Sequence, residues 1–341
     1  MKRRMGAVIA AALLVATAGA AVGGIAGARA ETGELHLGVQ FGLIYLPITI
    51  AADKGLIVKH AKDEGLDGVK VAIDRFSGST AVIDAVMSGN IQLGAYGLPG
   101  LLIAWDKTQG HQDVRGLAAI GRTAFVVVTN KPAIKTLKDF TDQDRIALPA
   151  TNSPQAIILK MAAAQLYGPD KYTHFDTMMV ALPHPDAANA LLSGQNTIDG
   201  YVSTPPFQQF LLRDARIHAV ARSRDFLGGQ EATGVILGGN KKFVDDNPKL
   251  AKAVYLGLED AMKFIGQHPA EAADLYIETE KSKLSKDDVK TMLTDGSTEF
   301  DVRPHGLQKF ADFMLKIGMT KHAPKDWKDT FFPIAHQAGG D

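Results

Sequence analysis

The 341-residue chain contains no cysteine. That excludes disulfides, thiolate nucleophiles, Cys-ligated metal centres and a lipid on an N-terminal Cys, so the fold must stand on its core. Charge of one sign is not in excess either: 37 Lys and Arg face 37 Asp and Glu. With no basic block beyond the N-terminus, nothing favours nucleic acid as a partner. After the N-terminal stretch no segment is apolar and long enough to span a bilayer. Local catalytic signatures are missing. There is no Gly-x-Ser-x-Gly, phosphate-binding loop, dinucleotide fingerprint after the first strand, or His-Glu-x-x-His. The ten His are scattered, and His60, His111 and His184 have no partner at metal-ligand spacing. We expect no enzyme, no cofactor and no metal. An exported hydrolase with a triad drawn from distant residues is the minor alternative.

What is present begins with an address. Lys2, Arg3 and Arg4 precede an apolar run from Ala7 to Ala21, and Ala28-Arg29-Ala30 fits the small-x-small cleavage rule. Residues 1–30 read as a signal peptide cut after Ala30. The competing reading, a membrane anchor, is opposed by Gly23, Gly24 and Gly27. Cleavage leaves 33 basic and 37 acidic residues, a net charge of −4. Without Cys to carry a lipid, the product should be free in a periplasm. Its 46% hydrophobic content suffices for a sizeable core, and its length suits two domains.

The organising stretch is Val71–Gly97. A short strand reaches Phe76, a polar turn Ser77-Gly78-Ser79-Thr80 follows, then a helix with Ala81, Val82, Ala85 and Val86 on one face, then a second strand. Backbone N–H groups at a helix start lack partners, so the turn can receive an anion or acceptor. The plainer reading is that its hydroxyls only cap the helix. The unit recurs. Ala85-Val86-Met87-Ser88-Gly89-Asn90 with Leu93-Gly94 is echoed by Ala190-Leu191-Leu192-Ser193-Gly194-Gln195 with Asp199-Gly200. Pro99 and Pro205 each lie five residues beyond the later Gly. Two similar lobes with a cleft between them follow as the simplest architecture.

In chain order, Glu34–Gln40 reads as a strand. Leu46–Gly55 reads as a helix with Pro near its start and Gly at its end. Strand and helix then alternate, the rhythm of an α/β sheet with parallel neighbours. Phe125–Thr129 and Thr233–Gly238 suit strands that cross between lobes. Ser153-Pro154 after the strand Arg145–Leu148 makes a second capped helix start. Pro183-His184-Pro185-Asp186 reads as a loop. Helices follow Pro248, Pro269, Ser285 (a capping box with Asp288) and Leu307. Trp327, Phe331 and Phe332 form a docking tail, with Gly339-Gly340-Asp341 frayed.

These residues resemble the periplasmic solute-binding proteins of ABC importers, in the nitrate/sulfonate/taurine-type family that also includes thiamine-precursor binders. The likeness is carried by Leu46-Pro47 through Ala52, Lys54-Gly55-Leu56, Phe76 through Thr80, Ala85 through Gly94, Thr136 through Phe140, Thr151-Asn152-Ser153 and Ala190 through Gly200. It implies a type II-like periplasmic binding fold: two α/β lobes joined by two hinge strands, with C-terminal helices on the first lobe. Lobe 1 would span 31–124 and return over 233–341, with lobe 2 over 125–232.

Carried over by position, the contact residues would be Gln40 and Phe41; Ser77, Gly78, Ser79 and Thr80; Tyr96 and Gly97; Thr151, Asn152 and Ser153; and Ser203 and Thr204. Arg122 could pair with a ligand anion, or serve as a structural ion pair. His184 is either a contact or a plain loop residue. The implied role is capture of a small organic anion, sulfonate/taurine- or carboxylate-like, for a membrane permease and its ATPase, by a monomer. A neutral heteroaromatic ligand or a sensor-type receptor stays open.

Overall fold

The computed structural model describes residues 31–194 and 197–341. The expected signal peptide and Gln195 of the second repeat copy lie outside the described residues. Leu35, Leu37 and Val39 alternate along the first strand and are fully buried, as a strand covered on its faces requires.

Among the described residues eleven strands run in chain order. They are β1 (Glu34–Val39), β2 (Lys70–Arg75), β3 (Leu93–Gly97), β4 (Arg115–Thr123), β5 (Val126–Thr129), β6 (Ile146–Leu148), β7 (Met179–Ala181), β8 (Gly200–Ser203), β9 (His218–Arg222), β10 (Thr233–Gly239) and β11 (Thr298–Glu299). They form two sheets. The first is ordered β2-β1-β3-β10-β4-β11 and the second β7-β6-β8-β5-β9. The sheets share a plan. Three strands are parallel, and the fourth (β10 or β5) runs antiparallel between its neighbours. In each, the first strand of the set lies between the second and the third, so the winding reverses there. That is the topological switch point, where ligands bind beyond the strands' carboxyl ends.

The sequence echo is a real structural unit. Helix Ser79–Ser88 ends at Gly89 with φ 77°, and helix His184–Ser193 ends at Gly194 with φ 66°. Both are left-handed caps, which glycine adopts without a Cβ penalty. Each leads to a strand, β3 or β8. Only Ala124 and Phe125 separate β4 of the first sheet from β5 of the second. The return passes Ser223, which is zipped to the first crossing. The Phe125 N–H donates to Ser223 Oγ (2.9 Å), and the Ser223 N–H donates to the Phe125 carbonyl (2.9 Å).

Gly55, with φ 65°, lies just past the end of helix Leu46–Asp53, as expected, and a further helix, Leu56–Asp63, starts directly after it. That second helix packs on Pro248–Gln267, where Gly257 allows backbone approach: a Cβ there would lie 2.9 Å from Ile57 Cγ1. The final residues are not frayed. Leu307 N–H donates to the Asp341 carbonyl (3.2 Å), and Gly306 N–H to its side chain (2.5 Å). The Ser285 capping box forms as expected. Trp327, Phe331 and Phe332 are buried.

Phe331 lies over Gly116 of β4, where a Cβ would meet its ring at 2.6 Å. The ring fills the space that this glycine leaves. Phe331→Ala is expected to cost about 3–5 kcal/mol of stability. A lowered urea midpoint at unchanged slope checks it.

Candidate functional site

The carboxyl ends of β1, β3, β6 and β8 face one crevice, and two helices begin at its rim. On the first lobe the N-cap of helix Ser79–Ser88 is Gly78, and no side chain caps it. The hydroxyls act elsewhere. Ser79 Oγ accepts from the Gly97 N–H (3.2 Å) and from Gln40 Nε2 (3.4 Å), which also donates to the Ala95 carbonyl (3.0 Å). This buried knot ties β1, β3 and the helix start together. On the second lobe Ser153 caps helix Pro154–Tyr167, its Oγ accepting from the Ala156 N–H (3.3 Å).

The two rims touch. Leu43 N–H donates across to the Pro205 carbonyl (3.0 Å), and the Thr80 hydroxyl to Asn152 Oδ1 (3.2 Å). A Cβ on Gly78 would stand 2.8 Å from the Pro149 oxygen, and one on Gly97 would stand 2.3 Å from Pro154 Cδ. The enclosed space is about 20 Å³, room for about one water. An organic solute needs the rims to part.

Of the residues anticipated from sequence, Gln40, Phe41, Ser79, Gly97, Ser153, His184 and Thr204 line this crevice. Gly78 forms the rim, Thr80 and Asn152 bridge it, and Ser77 and Thr151 are exposed at the two helix starts. Three are not brought there. Tyr96 is fully buried inside the first lobe, its hydroxyl beside Gly238. Ser203 donates to the Val126 carbonyl (2.7 Å) within its sheet. Arg122 pairs with Glu299 in a separate polar hollow. The crevice also contains Ile44, Tyr45, Phe125, Gln155 and Val235, which the sequence reading did not single out. Gln155 follows the Ser-Pro helix start, and that position was its only signal.

His184 is the first residue of a helix, not part of a loop. It is buried. Its Nδ1 is 2.5 Å from the Tyr201 hydroxyl, its Nε2 is 3.4 Å from Gln155 Nε2, and its ring stacks on Phe207. These distances fit a neutral ring whose Nδ1–H donates to Tyr201 and whose Nε2 accepts from the Gln155 amide. Burial pushes the imidazole down to about 3. Among the described residues no Lys, Arg, Asp or Glu lines the crevice. The Thr204 hydroxyl is buried there without a partner. A buried orphan of this kind calls for a ligand group or water. Among the described residues no group of three or more His, Cys, Asp or Glu could hold a metal.

A sequence profile of the NMT1-like family matches residues 28–278. No curated protein sequence matches the chain. Solved structures do. The alkanesulfonate-binding protein SsuA of Xanthomonas axonopodis pv. citri, bound to MOPS, has TM-score 0.65 at 16% identity, covering 92% of this chain and 100% of that one. The periplasmic nitrate-binding protein NrtA of Synechocystis PCC 6803 has TM-score 0.64 at 15% identity, over 91% and 86%. The Candida albicans CA3427 product, described as having the generic periplasmic binding protein fold, has TM-score 0.66 at 13% identity, over 88% and 96%. At such identities the likeness shows the fold: two α/β lobes of the periplasmic binding protein type.

Two outcomes follow from this geometry. Gly97→Ala places a methyl where Pro154 sits, so the rims should be held apart. Small-angle scattering is expected to give a larger radius of gyration with native circular dichroism; an unchanged radius would show that the contact does not limit closure. For His184, the unfolded chain binds a proton below its ordinary value of 6.5 while the folded chain does not until about 3. Stability should therefore fall as pH drops below 6.5, by up to about 1.4 kcal/mol per unit from this residue. His184→Gln should flatten that part of the wild-type profile in urea titrations at pH 4–7.

Proposed function

The chain belongs to the NMT1-like family, and on that premise we propose that it is a solute-binding receptor of an ABC-type uptake system. It captures a small organic solute between its lobes and delivers it to a membrane permease. The observation that carries this reading is the crevice itself. Two switch points, built from two sheets, open onto one space whose rims neither lobe completes alone. Binding is hinge closure about Ala124–Phe125 and the Ser223 return, without covalent chemistry. The relatives that bind sulfonate and nitrate support the class of receptor. We place the protein in the periplasm, as a monomer freed by cleavage after Ala30.

For the ligand we favour a sulfonate or carboxylate set against the starts of the Ser79 and Pro154 helices. Each helix end or cap contributes on the order of 1 kcal/mol, so several must converge. Gln40, Gln155 and the Thr204 hydroxyl add neutral polar contacts. One observation favours a second reading, a neutral heteroaromatic solute. The lining is uncharged, His184 is held neutral, and Phe41, Tyr45 and Phe125 offer ring faces.

A thermal-shift screen of small sulfonates, carboxylates, nitrate and thiamine precursors tests both. A true ligand at 100 times its Kd should stabilise by about 2.7 kcal/mol and raise the melting temperature by about 4 °C. Shifts from neutral rings alone would select the second reading. No shift from any compound would overturn the receptor class proposed here.

A further inference from the structure

A second hollow adjoins the crevice beside the Leu43–Pro205 contact, lined by the neighbouring Gly42 and Pro206. It encloses about 480 Å³, within the roughly 300–1,000 Å³ range of small-molecule sites. Phe41 lines both spaces, and Phe207, which lines the outer one, stacks on His184 of the inner one. The outer hollow has two unlike walls. One, from the second lobe, is apolar: Pro206, Phe207 and Phe210, the last 44% exposed. The other, from the end of β2 and from the end of helix Pro269–Glu280 with the turn after it, carries Arg75, Glu280, Lys281 and Lys283.

The cations differ in what they have free. Arg75 is engaged: it pairs with Glu280, donates to the Gln40 carbonyl (3.1 Å) and lies 5.5 Å from the Phe41 ring centre. Lys281 and Lys283 have no carboxylate within ion-pair distance among the described residues. Two ammonium groups without an ion-pair partner and an exposed phenyl ring line the same hollow. It is suited to an anion with an apolar body. The inner crevice, by contrast, has no charge to offer such an anion.

We infer that this outer hollow is a binding site for amphipathic organic anions, whose apolar body lies on Phe207 and Phe210 and whose acid group faces Lys281 and Lys283. The inference deepens the receptor reading above and rests on it, since it names the solute class. Because the walls belong to different lobes, occupancy links them and favours their approach. Phe41 and the Phe207–His184 stack couple the site to the inner crevice.

The test is calorimetric titration of the mature chain with alkane-1-sulfonates from methane to octane, which stay charged at every working pH. Affinity is expected to rise with chain length, by up to about four-fold per buried methylene. Phe210→Ser, at a half-exposed position where the core is untouched, should abolish that rise and weaken octanesulfonate ten-fold or more. The double variant Lys281→Gln, Lys283→Gln should weaken the whole series and reduce its salt dependence. A flat dependence on chain length, with the short acids still binding, would overturn the outer site and leave the receptor reading standing. Loss of uptake in cells by Phe210→Ser with unaltered titrations would make the face a permease contact, and would also overturn it. Binding by no member of the series overturns the anion class itself.

Discussion

How closely two backbones can approach decides what this molecule can do. At Gly78 and Gly97 no side chain intervenes, and the facing Pro149 and Pro154 come into contact with the first lobe. Helix starts are useful to a ligand only at hydrogen-bond range, because the field of a helix end decays within a turn. Bare backbone at the rim brings both starts to that range at once. The knot of Gln40, Ser79 and Gly97 holds the first rim in shape, and the cap at Ser153 holds the second. Closure can then be a rigid movement, with the zipped crossing at Phe125 and Ser223 as its axis.

Charge is distributed to match that movement. Among the described residues no ionised side chain lines the crevice, and burial holds its one imidazole neutral. The adjoining hollow keeps two lysines with no ion-pair partner among the described residues. A fixed cation deep between two closing lobes would have to be desolvated at every cycle, at considerable cost unless matched. Cations in the adjoining hollow can attract a solute and remain hydrated. The same logic explains Arg122. Beside the crossing strands it could have turned inward, but Glu299 stands within reach and holds it in a different hollow.

Several features were legible because they depend on neighbours in sequence. The alternation of Leu35, Leu37 and Val39 gave a strand, Ser153-Pro154 a capped helix, and Ser88-Gly89 and Ser193-Gly194 a repeated helix end. Gly55 reads correctly as a helix end, but the helix Leu56–Asp63 that starts directly after it was missed. The helix beginning at His184 was missed because two flanking prolines mimic a loop.

Local order alone determined the alternating α/β pattern, the doubled unit and the positions of the two helix starts, since capping and periodicity act over a few residues. It did not determine which side chains at those starts face the solute. Ser79 and Thr80 could have capped their helix; in the fold one braces Gly97 and the other spans the cleft. Tyr96 and Ser203 could have faced outward; sheet packing and a hydrogen bond to Val126 turn them in. Phe125, Gln155 and Val235 share one crevice only because two sheets are set against each other, and the lysines line the same outer hollow as Phe210 for the same reason. Such meetings join residues far apart along the chain, and only the packing of one lobe on the other brings them together.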